Sequence, residues 1–169
     1  MASILNVDKV RATGSTTDGL TVDSSGRVLL PAKPIFFATA ESTITMTTSY
    51  VETTAFSNAI VNVGSHYSTS TGRFTAPIAG TYCFGVTSLA NSTADVYRFR
   101  PYKNGNSLNN YELRIPTEGG AYGTNGEYCF YATLAVNDYV SIFLKSDSGT
   151  DAYGDTNFRY SYFRGELVG

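Results

Sequence analysis

The stretch that decides the fold is residues 63–86, VGSHYSTSTGRFTAPIAGTYCFGV. It begins with a glycine- and serine-rich turn, continues through a short strand around Phe74, and turns again at Pro-Ile-Ala-Gly. Tyr82, Phe84 and Val86 then occupy every second position, which places their side chains on one side of a β-strand. The stretch therefore predicts a strand that is entered by a tight turn and is buried on one face.

Three motifs along the chain share the order of one known family. The first consists of Gly64, Tyr67, Thr71, Gly72, Phe74, Pro77, Gly80, Tyr82 and Phe84. The second is LAVNDYV at residues 134–140, and the third is SYFRGEL at residues 161–167. Together they resemble the globular head of the complement recognition subunit, whose sandwich is shared with tumour necrosis factor. Asn137 stands where that family has glycine, and asparagine is the usual substitute where φ is positive.

The resemblance covers residues 34–169 and implies an all-β fold, a ten-strand antiparallel jelly-roll sandwich that forms a homotrimer. Apolar alternation between turn clusters predicts strands near residues 35–40, 44–48, 58–63, 73–75, 80–88, 96–103, 108–114, 127–135, 139–146 and 157–167. No segment of ten residues shows the 3.6-residue period of a helix. We therefore expect one jelly-roll domain that begins at residue 34.

Residues 1–33 differ from the rest of the chain and predict a short β-rich arm. Their alternating pieces are too short to build a hydrophobic core alone, so they are either disordered or packed against copies of themselves or another protein. We favour packing, through the apolar residues Ile4, Val7, Val10, Leu20, Val22 and Val28. The pattern TVDSSGRV at residues 21–28 is similar to the leaders of many small structural proteins of tailed bacteriophages.

Composition limits the partners of the protein. Charged residues make up only 15% of the chain, its net charge is −2, and no basic run exceeds two residues, so we expect no nucleic-acid partner. No apolar run approaches eighteen residues, so we expect no membrane insertion. Residues 1–14 lack the long apolar segment of a signal peptide, which predicts synthesis in a host cytoplasm. Reduced thiols are then favoured at Cys83 and Cys129, although a cross-strand disulfide is geometrically possible.

The family pattern fixes which side chains of each strand point inward. The predicted core residues are Phe36, Phe74, Tyr82, Phe84, Phe130, Leu134, Val140, Ile142, Leu144, Phe163 and Leu167. The opposite parity, which is polar in most monomeric sandwiches, is here apolar and aromatic. The residues on this side, which we predict to form the trimer interface, are Phe37, Cys83, Cys129, Tyr131, Phe158, Tyr160 and Tyr162. A patch of this size is expected to be covered by another protein surface.

The sequence shows no catalytic constellation and no cofactor motif, so we expect a protein that is not an enzyme. The single histidine, His66, lies in the turn motif, where a structural role is more common than catalysis. The acidic loop around residues 147–155 offers Asp147, Asp151 and Asp155 as weak candidates for calcium ligands. Their spacing matches no known calcium loop, and solvated aspartates in turns are the alternative.

Loops at the end of the sandwich opposite the termini are predicted to carry recognition. These loops are residues 90–95, 116–127 and 146–156. Their candidate contact residues are Tyr122, Asn125, Asp151, Tyr153 and Asp155, because tyrosine on a polar loop is typical of recognition surfaces and suits a glycan or protein. Hydrophilic loops without a partner are the alternative.

The sequence favours a virion protein located on the phage surface. In the first interpretation it is a homotrimeric, receptor-binding head of a tail fibre or tail-attached knob, bound to other tail proteins through its arm. In the second it is a capsid decoration protein at lattice three-fold positions. A secreted recognition protein of the complement type is the third, against which the absence of a collagen-like stalk counts.

Overall fold

The computed structural model describes residues 7–90, 96–116 and 127–169. The regular elements in these ranges are β1 (Lys9–Val10), β2 (Leu20–Val22), β3 (Val28–Leu29), β4 (Ile35–Thr39), β5 (Val51–Glu52), β6 (Asn58–Val63), β7 (Tyr67–Ser68), β8 (Arg73–Thr75), β9 (Gly80–Thr87), β10 (Leu89–Ala90), β11 (Val96–Lys103), β12 (Asn106–Ser107), β13 (Leu113–Pro116), β14 (Tyr128–Leu134), β15 (Tyr139–Ser146), β16 (Ala152–Tyr153) and β17 (Tyr162–Leu167). Within this part of the chain no helix is long and apolar enough to cross a membrane.

Two antiparallel sheets form the body of the domain. A five-stranded sheet has the order β14-β9-β17-β4-β6. A seven-stranded sheet has the order β12-β11-β15-β8-β7, with β13 pairing to β11 and β5 pairing to β15. A short β10–β16 pair forms a third, two-stranded sheet. The all-β sandwich expected from the sequence is therefore confirmed.

Aromatic side chains fill the space between the two sheets. Phe36 of the five-stranded sheet stacks on Tyr67 and Phe74 of the other sheet, with ring centroids 4.6 and 5.1 Å apart. Of the predicted core residues, all except Leu167 are buried, and Leu167 is partly buried and packs against the same cluster. Burial of whole aromatic rings on this scale is the main stabilising contribution to such a sandwich.

Asn137 and Gly165, which lie in the second and third family motifs, each meet a specific requirement of the backbone. Asn137 has a φ of 69° in the turn between β14 and β15, as its substitution for glycine predicts. Gly165 lies in the middle of β17, where an added Cβ would be 2.5 Å from Phe84 and 2.6 Å from Phe36. The glycine is therefore required because the last strand lies directly against two rings of the core.

Strand boundaries differ from the prediction where aspartate side chains bind the backbone. The predicted strand at 157–167 begins only at Tyr162, because Asp155 Oδ1 accepts hydrogen bonds from the amides of Asn157 and Phe158. The predicted strand at 44–48 is reduced to a single bridge at Ile44. Turns of this kind satisfy backbone groups that would otherwise pair in a ladder.

Within residues 7–33, the arm forms a small antiparallel sheet of its own, in the order β1-β2-β3. Its strands pair Lys9 with Thr21 and Val22 with Val28, with no ladder to the strands of the jelly roll. An ion pair between Lys33 and Glu166, 2.7 Å long, joins the end of this segment to the last strand.

Candidate functional site

The exposed side of the five-stranded sheet, which we call the aromatic face, carries five of the seven predicted interface residues. These are Phe37, Cys83, Cys129, Tyr131 and Tyr162. The rings of Phe37 and Tyr162 are 5.0 Å apart, and the side chain of Tyr131 is 61% exposed. The sheet register therefore brings onto one face residues that are up to 125 positions apart in the sequence.

Both thiols of the aromatic face are free. Tyr131 is directly opposite Cys83 in the β14–β9 ladder, and Cys129 is opposite Gly85, so the two cysteines are diagonal neighbours. Burial and the nearby Glu127 carboxylate raise the pKa of Cys129, which favours the protonated thiol. The structure has no disulfide between them.

The centre of the aromatic face carries charges that the apolar pattern of the strands did not predict. Arg164 and Glu166 have the same parity in β17 as Tyr162, and they point to the same side. Arg164 Nε is 2.5 Å from Oε1 of Glu127, and its Nη2 is 3.7 Å from Sγ of Cys129. The two-residue period that predicts Tyr162 on this face also predicts Arg164 and Glu166 there, so this signal was present in the sequence.

Phe158 and Tyr160, the other two predicted interface residues, do not lie on β17. They precede it, with their rings stacked at 5.5 Å, and Tyr160 also lies 5.9 Å from the ring of Tyr153. The assignment of both residues to the outward side of the last strand is corrected, because the turn at Asp155 delays the start of that strand. The side chain of Phe158 remains 59% exposed.

The three candidate calcium ligands have separate partners. Asp147 is 2.7 Å from Arg98 and 3.4 Å from Lys145, and the hydrogen bond from Arg98 lowers its pKa to about 2. Asp151 accepts a 2.9 Å hydrogen bond from the amide of Met46, whereas Asp155 caps the turn described above. No group of three metal-binding side chains occurs in residues 7–90, 96–116 and 127–169.

The recognition loops are only partly described. Tyr122 and Asn125 lie outside the described residues. The hydroxyl of Tyr153 donates a 2.8 Å hydrogen bond to Asp155 Oδ2, which places the two side chains together beside the ring of Tyr160. Recognition by these loops remains a prediction.

His66 packs against the turn that contains Gly64. An added Cβ at Gly64 would meet the imidazole ring directly, and burial lowers the pKa of His66. The side chain thus fills space beside a glycine of positive φ, which agrees with a structural role.

Apolar side chains of the arm are exposed. Val7, Val10 and Val28 are 41%, 52% and 60% exposed, whereas Leu20 and Val22 are half-buried. Ile4 lies outside the described residues. Where the arm meets the jelly roll, Leu30, Ile78, Leu167 and Val168 line an open cavity of about 370 Å³. This end of the molecule therefore presents apolar surface to solvent.

The two facing antiparallel sheets define a jelly-roll domain of the type found in complement and tumour necrosis factor-like proteins. A family model described as the C1q domain matches residues 35–168. The chain belongs to the C1q domain family. Domains of this type typically self-associate as trimers and are generally not enzymes.

Solved structures agree with this assignment. The globular domain of zebrafish complement 1qA protein is similar with a TM-score of 0.58 and 16% identity, over 81% of this chain and 98% of that one. Murine APRIL, solved at pH 5.0, is similar with a TM-score of 0.61 and 8% identity, over 80% of this chain and 99% of that one. No curated protein matches the sequence. At these identities the likeness shows the fold alone.

Proposed function

We propose that three copies of the chain associate through the aromatic face. The observation that carries this proposal is that exposed Tyr131, the Phe37–Tyr162 ring pair and two free thiols lie together on one sheet surface. Removing rings of this size from water contributes about 25 cal/mol per Å² of apolar area. The Arg164–Glu127 pair would be enclosed as a neutral unit, with each charge already satisfied by its partner.

We further propose that this trimer is a non-enzymatic structural protein of a tailed bacteriophage virion, displayed on the particle surface. The arm supports this proposal, because it has its own small sheet and exposed valines and leucines without a core to bury them. Three arms at the base of a trimer would bind to the particle at the same time. Their weak contacts would then reinforce one another through effective concentration. The leader-like sequence of residues 21–28 agrees with this role.

Within the virion, we propose a receptor-binding head on the tail, with its free end directed toward the host. The aromatic cluster of Tyr153, Phe158 and Tyr160 in front of β17 supports this arrangement. The alternative is a capsid decoration protein at lattice three-fold positions, which the typical self-association of this domain type as trimers supports.

The copy number on purified virions separates the two locations. Quantitative mass spectrometry should find only a small number of copies per virion, as is typical of a tail tip. A decoration protein would be present in a much larger number, set by the positions of the capsid lattice. Gold-labelled antibodies should mark the tail in electron micrographs. Label over the whole head would assign the protein to the capsid, and particles without label would overturn the virion proposal.

A further inference from the structure

Three cations lie side by side across the exposed face of the seven-stranded sheet. Arg98 of β11 is directly opposite Lys145 of β15 and, on its other side, directly opposite Arg114 of β13. Neighbouring strands are about 4.8 Å apart, so the row spans about 10 Å. Like charges directly opposite one another destabilise a sheet. The row therefore opposes folding unless other groups offset its charge.

Two carboxylates offset part of this charge. Glu112 accepts hydrogen bonds from Arg98 at 3.1 Å and from Arg100 at 2.7 Å. Asp147 binds Arg98 at 2.7 Å and lies 3.4 Å from Lys145. We call Arg98, Arg100, Arg114 and Lys145 the cationic cluster. Four positive charges share two carboxylates in the described part of the chain, so the cluster is positive although the whole chain has a net charge of −2.

The cationic cluster is held in place by the ring of Tyr50. This ring lies 4.3 Å from the guanidinium carbon of Arg100 and 5.5 Å from Nζ of Lys145, and its hydroxyl donates a short hydrogen bond to Glu112. Burial and the Glu112 carboxylate raise the pKa of Tyr50 to about 12, so the hydroxyl stays protonated at neutral pH. The positions of the cations are therefore set before any partner arrives.

One donor of the cluster is left unsatisfied. Arg100 Nε is buried and has no hydrogen-bond partner among the described residues, although Nη2 of the same side chain binds Glu112. A buried donor without a partner has a free-energy cost that an additional acceptor can remove. Beside it, the partly exposed rings of Tyr102 and Phe143 stack with centroids 3.7 Å apart, and Phe143 is directly opposite Arg100.

We propose that the cationic cluster and the adjacent Tyr102–Phe143 pair form a binding surface for an acidic polysaccharide. Carboxylate or sulfate groups of the sugar chain would lie over the row of cations, and the flat aromatic pair would contact the C–H face of a sugar ring. This surface lies on the sheet opposite the aromatic face, so it stays exposed in the proposed trimer.

The inference deepens the proposed receptor-binding role and rests on it only for the biological setting, since binding can be measured with the isolated full-length protein. Binding can be measured by calorimetric titration with three polymers. Dextran sulfate carries sulfate esters, polygalacturonate carries carboxylates, and neutral dextran carries no charge. We expect an acidic polymer to bind, with an affinity that falls as salt is added, and neutral dextran not to bind. Absence of binding to both acidic polymers would overturn the proposal, whatever the oligomeric state or virion location.

Matched variants locate the site. The test variant is Arg114→Gln, which removes a side chain of the cluster that is 59% exposed and is not needed to hold Tyr50. The control is Arg159→Gln, which removes the same charge from an exposed position outside the strands. We expect Arg114→Gln to weaken binding to the acidic polymer about fivefold, and Arg159→Gln to leave it nearly unchanged. Equal losses in the two variants would show a non-specific charge effect and overturn the site. A DNA duplex that binds as tightly as the acidic polymer would overturn the assignment to a sugar.

Discussion

Arg164 and Glu127, which are 37 residues apart in the sequence, form an ion pair at the centre of the aromatic face, with Nε 2.5 Å from Oε1. Gly85 is directly opposite Arg164 in the neighbouring strand. A Cβ at Gly85 would meet the Glu127 carboxylate and would lie 2.9 Å from Arg164 Nε. The missing side chain of this glycine is what allows the pair to lie flat on the sheet.

The Arg164–Glu127 pair predicts a pH dependence of stability. The hydrogen bond from Arg164 lowers the pKa of Glu127 below its ordinary value of 4.5 in the folded protein. The stabilisation is therefore fully present above that ordinary value and is lost as the pH falls through the lowered one. We expect Glu127→Gln to reduce the free energy of unfolding by up to ~1 kcal/mol at neutral pH and to lose less stability on acidification. Urea unfolding of both proteins at about pH 7 and about pH 3 measures this, and parallel pH profiles would contradict it.

The proposed trimer predicts a mass of about 55 kDa in dilute solution, three times the 18.2 kDa of one chain. We expect Tyr131→Lys to give monomers, because three like charges would have to be buried at the aromatic face. The control is Val51→Lys, at a position that is 51% exposed on the other sheet. Light scattering of the three proteins tests this. A monomeric unmodified protein, or an unaltered mass for Tyr131→Lys, would contradict the interface.

Close packing around Gly165 predicts that β17 tolerates no side chain there. We expect Gly165→Val to destabilise the fold by about 3 kcal/mol or more, because its Cβ would overlap the rings of Phe84 and Phe36. Gly169→Val is the control, since an added Cβ at Gly169 meets no atom within 4 Å. Thermal unfolding of the two variants should separate them clearly. A normal melting temperature for Gly165→Val would show that the strand is not packed in this way.

The separate sheet of the arm predicts that the jelly roll folds without it. Deleting residues 1–32 keeps the Lys33–Glu166 ion pair and removes β1, β2 and β3, which form ladders only with one another among the described strands. We expect the truncated protein to contain the same number of chains per oligomer as the full-length protein. Its melting temperature should lie within a few degrees of that of the full-length protein. Incorporation into virions should be abolished. Truncated protein present on purified particles in normal amount would place the docking surface on the jelly roll.

The sequence by itself determined the sandwich and its core. Alternation placed the rings of Tyr82 and Phe84 on one face of a strand, because side chains point to opposite faces with a period of two residues, and the resemblance to the family assigned that face to the interior, where both rings are buried. The positive φ of Asn137 was also predicted correctly, since it depends on a local requirement of the backbone in the turn.

The tertiary structure alone decided which surface groups meet. The Arg164–Glu127 pair and the row of Lys145, Arg98 and Arg114 depend on how strands distant in sequence are aligned, and periodicity within one strand carries no information about that register. The position of Phe158 was mispredicted for a related reason. Its amide is bound by the side chain of Asp155, and this competition between a side chain and the strand ladder makes the strand begin later than the apolar pattern indicates.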